Sequence, residues 1–155
     1  MRHLLMIILL SLLFVSLVGC STHTNGLINV QSTGGSVEEV ANRFESILKA
    51  KGLKLFNRIN HAEGAKNVNL DLAPTELLIF GNPKVGAPLM QCHQTIGIDL
   101  PLKALIWKDD KGQVWITYND PQYLAKRHGI SGSCAEVITK VGKTLNGITN
   151  AAAKP

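Results

Sequence analysis

Gly35-Ser36-Val37-Glu38-Glu39-Val40-Ala41-Asn42-Arg43-Phe44-Glu45-Ser46-Ile47-Leu48-Lys49-Ala50-Lys51-Gly52 is the stretch whose reading decides the fold. Ser36 with Glu39 three residues on is a capping box, serine at the N-cap and glutamate at the third helical position. Val37, Val40, Ala41, Phe44, Ile47 and Leu48 recur at helical spacing, with Glu38, Arg43, Glu45 and Lys49 opposite. Gly52 supplies the stop. Upstream, residues 27–32 alternate, Ile28 and Val30 on one face and Asn29 and Gln31 on the other, which predicts a strand. Thr33-Gly34-Gly35 turns the chain between the two. Downstream, residues 53–61 alternate again, with Leu53, Leu55 and Ile59 on one side and Lys54 and Arg58 on the other.

Working outward, residues 62–69 read as a loop. Pro74 opens a third strand over residues 75–80. Leu77-Leu78-Ile79-Phe80 is apolar throughout, as in a central strand buried on both faces or one covered at an interface. Gly81-Asn82-Pro83 stops it. Val85-Gly86-Ala87-Pro88 leads into a short helix, with Pro88 suited to the first helical position and Gly97 to the exit. Leu89, Cys92, His93 and Ile96 share a face of that helix. Pro101 precedes a hairpin, residues 102–108 and 113–118, joined by Asp109-Asp110-Lys111-Gly112 and containing Trp107 and Trp115. Asn119-Asp120-Pro121 breaks the second strand, and residues 122–128 make one or two helical turns. Ser133-Cys134-Ala135-Glu136 reads as a second capping box, opening a helix with Ile138, Val141, Leu145 and Ile148 inward. The predicted order is β-α-β-β-α-β-β-α with the last helix doubled. That order implies one two-layer α+β domain over 27–150, a mostly antiparallel sheet with helices packed on one face. A pseudo-repeat of a βαββ unit fits the element pattern, without any repeat of residues. Residues 151–155 are expected to fray.

The N-terminus gives an address. Arg2 is followed by residues 4–18, apolar except for Ser11 and Ser16, then by Leu17-Val18-Gly19-Cys20. A basic start and an apolar stretch too short to span a bilayer comfortably make a signal peptide. The segment ending in Cys20 resembles the bacterial lipobox. The resemblance implies a signal peptide over 1–19, a diacylglyceryl chain on Cys20, and a linker over 20–26. Two acyl chains suffice for stable anchoring. Ser21 after the cysteine, by likeness to Gram-negative lipoproteins, implies an outer membrane address facing the periplasm. The six residues 21–26 reach at most about 20 Å, so the domain is expected close to the bilayer.

The chain has 155 residues, with 16 Lys+Arg against 11 Asp+Glu. Without residues 1–19 there remain 136 residues and a net charge of +4. The excess is mild and spread, with no basic run and no interleaved aromatics, and the compartment excludes nucleic acid. Cys92 and Cys134 remain as a pair. An oxidising envelope favours a disulfide between them, and closing a loop of about forty residues is worth roughly 4 kcal/mol. Two separate buried thiols and a reactive thiol are the alternatives. No Cys-x-x-Cys is present.

Three segments together resemble a known family. They are Leu77-Leu78-Ile79-Phe80-Gly81-Asn82-Pro83-Lys84-x-Gly86-x-Pro88-Leu89-Met90, then Ile98-Asp99-Leu100-Pro101-Leu102-Lys103-Ala104-Leu105, then Tyr118-Asn119-Asp120-Pro121-x-Tyr123-Leu124-Ala125-x-Arg127-His128. In that order they resemble the bacterial and archaeal family called domain of unknown function 302, across about residues 30–149. The resemblance implies a compact α+β domain, often exported, and a dimer as its expected assembly. It implies no activity.

Candidate chemistry is sparse. Asn82, Pro83, Lys84 and Gly86 lie where a strand becomes a helix, a place for an anion or simply a turn. Asp120 and His128 flank the helical turns after Tyr118, as an acid–base pair or as an N-cap and a structural histidine. His93 reads as a core or interface histidine, and Met90 as packing or pocket lining. No metal site and no cofactor are expected. The leading expectation is a membrane-tethered envelope lipoprotein binding a small apolar or amphipathic ligand, or a protein partner, with Asn82, Lys84, Met90, Tyr118 and His128 as candidate ligand contacts. The alternatives are a hydrolase or redox-linked enzyme using Asp120 with His128, or Cys134, and a structural subunit whose 77–80 strand serves a homodimer.

Overall fold

The computed structural model describes residues 25–155. The signal peptide expected over 1–19, the lipid expected on Cys20 and most of the 20–26 linker lie outside the described residues. The chain forms β1 (Leu27–Gln31), α1 (Val37–Ala50), β2 (Lys54–Asn60), α2 (His61–Lys66), β3 (Thr75–Gly81), α3 (Pro83–Cys92), a 3-10 turn (Gln94–Ile98), β4 (Leu102–Lys108), β5 (Val114–Asn119), α4 (Pro121–Arg127) and α5 (Gly132–Ala152). The architecture is α+β, as expected. Where a loop was expected over 62–69, Asn60 accepts the Glu63 amide at 2.9 Å and starts the short α2.

The five strands lie in the order β1-β5-β4-β3-β2, and every neighbouring pair is antiparallel. The two edge strands β1 and β2 therefore run the same way. Joining them requires a crossover over one face, and α1 is that crossover. The sheet does not divide into two βαββ halves, because β1 pairs with β5 at the far edge from β2.

The capping box forms as read: Glu39 donates its amide to Ser36 Oγ at 3.2 Å, and Ser36 donates its amide to Glu39 Oε2 at 2.7 Å. Val37, Val40, Ala41, Phe44 and Leu48 of α1 then bury against Leu78, Phe80, Ala104, Ile106 and Ile116, with Leu145, Ile148 and Ala152 of α5 completing the layer. Each large side chain buried here contributes roughly 1.5–3 kcal/mol.

Three local readings change. In β2 the register slips between Leu55, opposite Phe80, and Asn57, opposite Ile79, leaving Phe56 as an extra residue. A bulge reverses the alternation beyond it. Arg58 thus falls opposite the buried Leu78, under α1, and Ile59 takes the other face. Arg58 reaches Glu76 (Nε to Oε2, 2.5 Å), Asn42 Oδ1 (2.6 Å) and Glu45 Oε2 (3.4 Å).

The second change concerns β3, which lies next to the edge strand and buries one face only. Leu78 and Phe80 are fully buried, whereas Leu77 and Ile79 are half-buried on the opposite face with Leu105, Trp107 and Trp115. An antiparallel sheet can leave one face to water.

The third is the tail expected to fray over 151–155. The helix α5 runs to Ala152, both Ala152 and Ala153 are buried, and Ala153 O accepts the Thr33 amide at 2.8 Å while Ala152 O accepts Arg43 Nε at 3.0 Å. Nor does the second capping box form, since α5 starts one residue before Ser133, after Ser131, with no side-chain cap bond.

Glu76 is only 7% exposed, so its carboxylate depends on Arg58. Arg58→Met is expected to lower stability by about 3 kcal/mol, the low end for a broken buried pair because the Arg58 side chain keeps some contact with water. Adding Glu76→Met should recover most of that loss in urea denaturation. A single variant as stable as the parent would show the pair to be dispensable.

Candidate functional site

The site begins where β3 ends. Gly81 closes the strand, Asn82 takes an extended backbone as N-cap, and its Oδ1 accepts the Lys84 amide at 2.9 Å. Pro83, not Pro88, is the first helical residue, so α3 starts five residues earlier than expected and Pro88 lies inside it. The cap and the proline at the first helical position together outweigh the later proline, which costs an interior hydrogen bond. The helix and the 3-10 turn after it stand beside α5. Between them and the ends of β2, β3 and β4 lies a groove of about 480 Å³.

The groove is apolar for most of its lining. Buried Phe80, Leu89, Ile96 and Leu145 line it, and Phe56 and Met90, exposed by about two-fifths, border it. Its polar side chains are Asn82, Thr144, Lys51 and Lys140. The volume lies within the roughly 300–1,000 Å³ of small-molecule sites.

Of the five candidate ligand contacts, the structure brings Asn82 and Met90 together on this groove and separates the others. Lys84 is exposed and does not line it. The first turn of α3 also offers no free donor: Pro83 has none, the Lys84 amide is taken by Asn82 Oδ1, and the Val85 and Gly86 amides go to Asn82 O. Tyr118 sits in the other part of the core, 4% exposed, where burial pushes its phenol pKa up. Phe56 was missed, because only the bulge in β2 turns it toward α3.

His128 ends α4 and is 7% exposed. Its partner is Asp99, not Asp120: His128 Nε2 lies 2.6 Å from Asp99 Oδ2, and Nδ1 lies 3.0 Å from Thr95 Oγ1. Thr95 Oγ1 is also 3.0 Å from His93 Nδ1, and Arg127 Nη1 is 3.3 Å from Asp99. Asp120 instead caps α4, accepting the Gln122 amide at 2.9 Å. His93, expected on a buried face with Cys92, is exposed, since the 3-10 turn rather than α3 carries Ile96 inward. The carboxylate, imidazole and hydroxyl of Asp99, His128 and Thr95 form one hydrogen-bonded line that pins the 3-10 turn to α4. Cys92 and Cys134 are joined as a disulfide, Cα atoms 6.7 Å apart, which pins the end of α3 to the first turn of α5. Among the described residues no three His, Cys, Asp or Glu side chains converge as a metal site.

This arrangement defines a class: a two-layer α+β domain with a one-sided antiparallel sheet and an apolar groove at the end of that sheet. A family model described as Domain of unknown function DUF302 matches residues 28–148, and the chain belongs to that family. The crystal structure of an uncharacterized conserved DUF302 protein from Bacillus stearothermophilus shares the fold, with a TM-score of 0.73 at 21% identity over 83% of this chain and 98% of that one. Two curated relatives are 46% identical over 123 residues. They are the fluoride-specific ion channel FluC 1 of Brucella suis, matched over 79% of this chain and 48% of that protein, and FluC 2 of Brucella melitensis, over 79% and 45%. The chain spans about half the length of these relatives. Among its described residues no helix is long and apolar enough to cross a membrane.

Two measurements check the pins. With the bridged positions 42 apart in sequence, Cys92→Ser with Cys134→Ser should cost about 4 kcal/mol in urea unfolding; a loss below about 1 kcal/mol would count against the bridge. A double-mutant cycle of His128→Gln with Asp99→Asn should give a coupling of about 1.5 kcal/mol. The same cycle with Asp120→Asn should give less than about 0.5 kcal/mol, and equal couplings would reject the assignment.

Proposed function

We propose that this chain is an envelope lipoprotein, tethered through Cys20, whose domain holds a small apolar or amphipathic molecule in the groove beside α3. The observation that carries the reading is the groove itself: a preformed apolar space of about 480 Å³ with few polar groups. An apolar ligand gains about 25 cal/mol for each Å² it removes from water. The tether rests on the sequence before residue 21. Relatives named as fluoride-specific ion channels match this chain over 123 residues at 46% identity, and a lipid on Cys20 would likewise hold the domain at a membrane. Channel activity is not proposed for a chain covering half of those proteins.

The enzyme alternatives lose their support. Cys134 has no thiol while bridged to Cys92, and Asp120 does not meet His128. The half-buried face with Leu77, Ile79, Trp107 and Trp115 is where a homodimer or a protein partner would sit, which leaves the groove free.

The test uses the full chain in nanodiscs, with empty nanodiscs as reference, and the neutral fluorophore N-phenyl-1-naphthylamine. Saturable binding at one site per chain is expected, weakened at least about tenfold by Met90→Asp together with Phe56→Asp, because the incoming tail must then desolvate charge. Both residues are exposed enough that the melting temperature should hold. Binding unchanged in the double variant would reject the groove.

A further inference from the structure

We infer that the groove takes a long-chain monocarboxylate, an aliphatic tail among Phe80, Leu89 and Ile96 with its anionic head at Lys51 and Lys140. The inference rests on the groove being a ligand site and goes on to name the ligand's class. Among the described residues two lysines are the only charged side chains in the lining, which contains no carboxylate. Among the described residues neither lysine has an acidic group within 4.0 Å, and residues 1–24 contain no Asp or Glu at all. A third cation, Lys54, is not part of the lining but lies near it, with its Nζ 5.2 Å from the ring centroid of Phe56, which lines the groove. The one lining carboxamide points the same way. Asn82 Oδ1 is committed to the Lys84 amide, so its free group is the NH₂ donor.

An apolar space rimmed by cations and an amide donor is complementary to a tail bearing negative charge. A cationic amphiphile would be repelled there, and a neutral one would leave the ammonium groups unpaired. The chemistry of the head follows from which donors are present. Phosphate is favoured by arginine forks or by free backbone amides at a helix start. Among the described residues the lining has no arginine, and the first amides of α3 are already paired. Lysine ammonium groups are point charges that pair with either anion, so without forks or free amides nothing in the lining favours phosphate over the simpler carboxylate. On the other side, each buried CH₂ of the tail adds about 0.8 kcal/mol, so affinity should rise with chain length until the groove is full.

The experiment compares four twelve-carbon probes on the full chain in zwitterionic nanodiscs, read against empty nanodiscs: dodecanoate, dodecanol, dodecyl phosphate and dodecyltrimethylammonium. Dodecanoate is expected to bind about tenfold more tightly than dodecanol, a difference of about 1.4 kcal/mol, with the ammonium compound weakest. Lys51→Met with Lys140→Met should abolish that tenfold and leave dodecanol where it was, which a general loss of structure would not do. Equal affinities for dodecanoate and dodecanol, or a preference surviving the double variant, would overturn the anionic head while the groove stands. Dodecyl phosphate binding more tightly than dodecanoate would overturn the carboxylate. Failure of all four to bind would overturn the groove reading itself.

Discussion

Phe44 of α1 meets Phe80 of β3 edge-on, ring centroids 5.4 Å apart at 64°, and both rings are fully buried. Edge-to-face pairs add roughly 0.5–1.5 kcal/mol beyond their area. The position of the contact matters more than its strength. The edge strands β1 and β2 run the same way, so α1 must lie across the sheet, and Phe44 on Phe80 fixes where it crosses. Phe80 is also part of the groove lining. One side chain therefore belongs to the core under the crossover and to the space beside α3. The groove inherits its shape from the packing that sets the fold.

Elements governed by local chemistry were legible in the sequence. Ser36 with Glu39 and the stripe from Val37 to Leu48 specify α1 without reference to anything distant. The β4–β5 hairpin is likewise local, and its turn is tied down by Asp109, whose carboxylate accepts the Lys111 and Gln113 amides and the Trp115 indole N–H. The indole bond holds the Asp109 carboxyl below its ordinary range. The misreadings had tertiary causes. Phe56 enters as a bulge because β2 must register against β3 on both sides of it, and that moved Arg58 from solvent to a place between Glu76 and α1. Ala152 and Ala153 look like a tail until their own carbonyls meet Arg43 and Thr33 from the other end of the chain.

The candidate site shows the same division. Asn82 and Met90 could be placed because they sit in the turn and helix directly after β3. Tyr118 and His128 lie in a sequence-recognisable segment, yet strand alternation sends Tyr118 into the core and the end of α4 carries His128 to Asp99, 29 residues earlier in the chain. Nothing local distinguishes Asp99 from Asp120 as a partner for an imidazole. Only Asp120, before Pro121 and with Gln122 two residues on, already has a use as an N-cap.

The two pins hold the walls of the groove from different sides. The disulfide joins the end of α3 to the start of α5, and the Asp99–His128–Thr95 line joins the 3-10 turn to α4. Between them runs the small second cluster of Leu89, Ile96, Ala125, Ile130 and Ile138, too few residues to order a wall alone. Covalent and charge-assisted links take over where apolar burial is thin. The wall is then ordered before any ligand arrives, so binding need not repay the entropy of assembling it. That fits the proposed ligand, which would supply mostly tail burial and one charge and so would have little binding energy to spare for organising its own pocket.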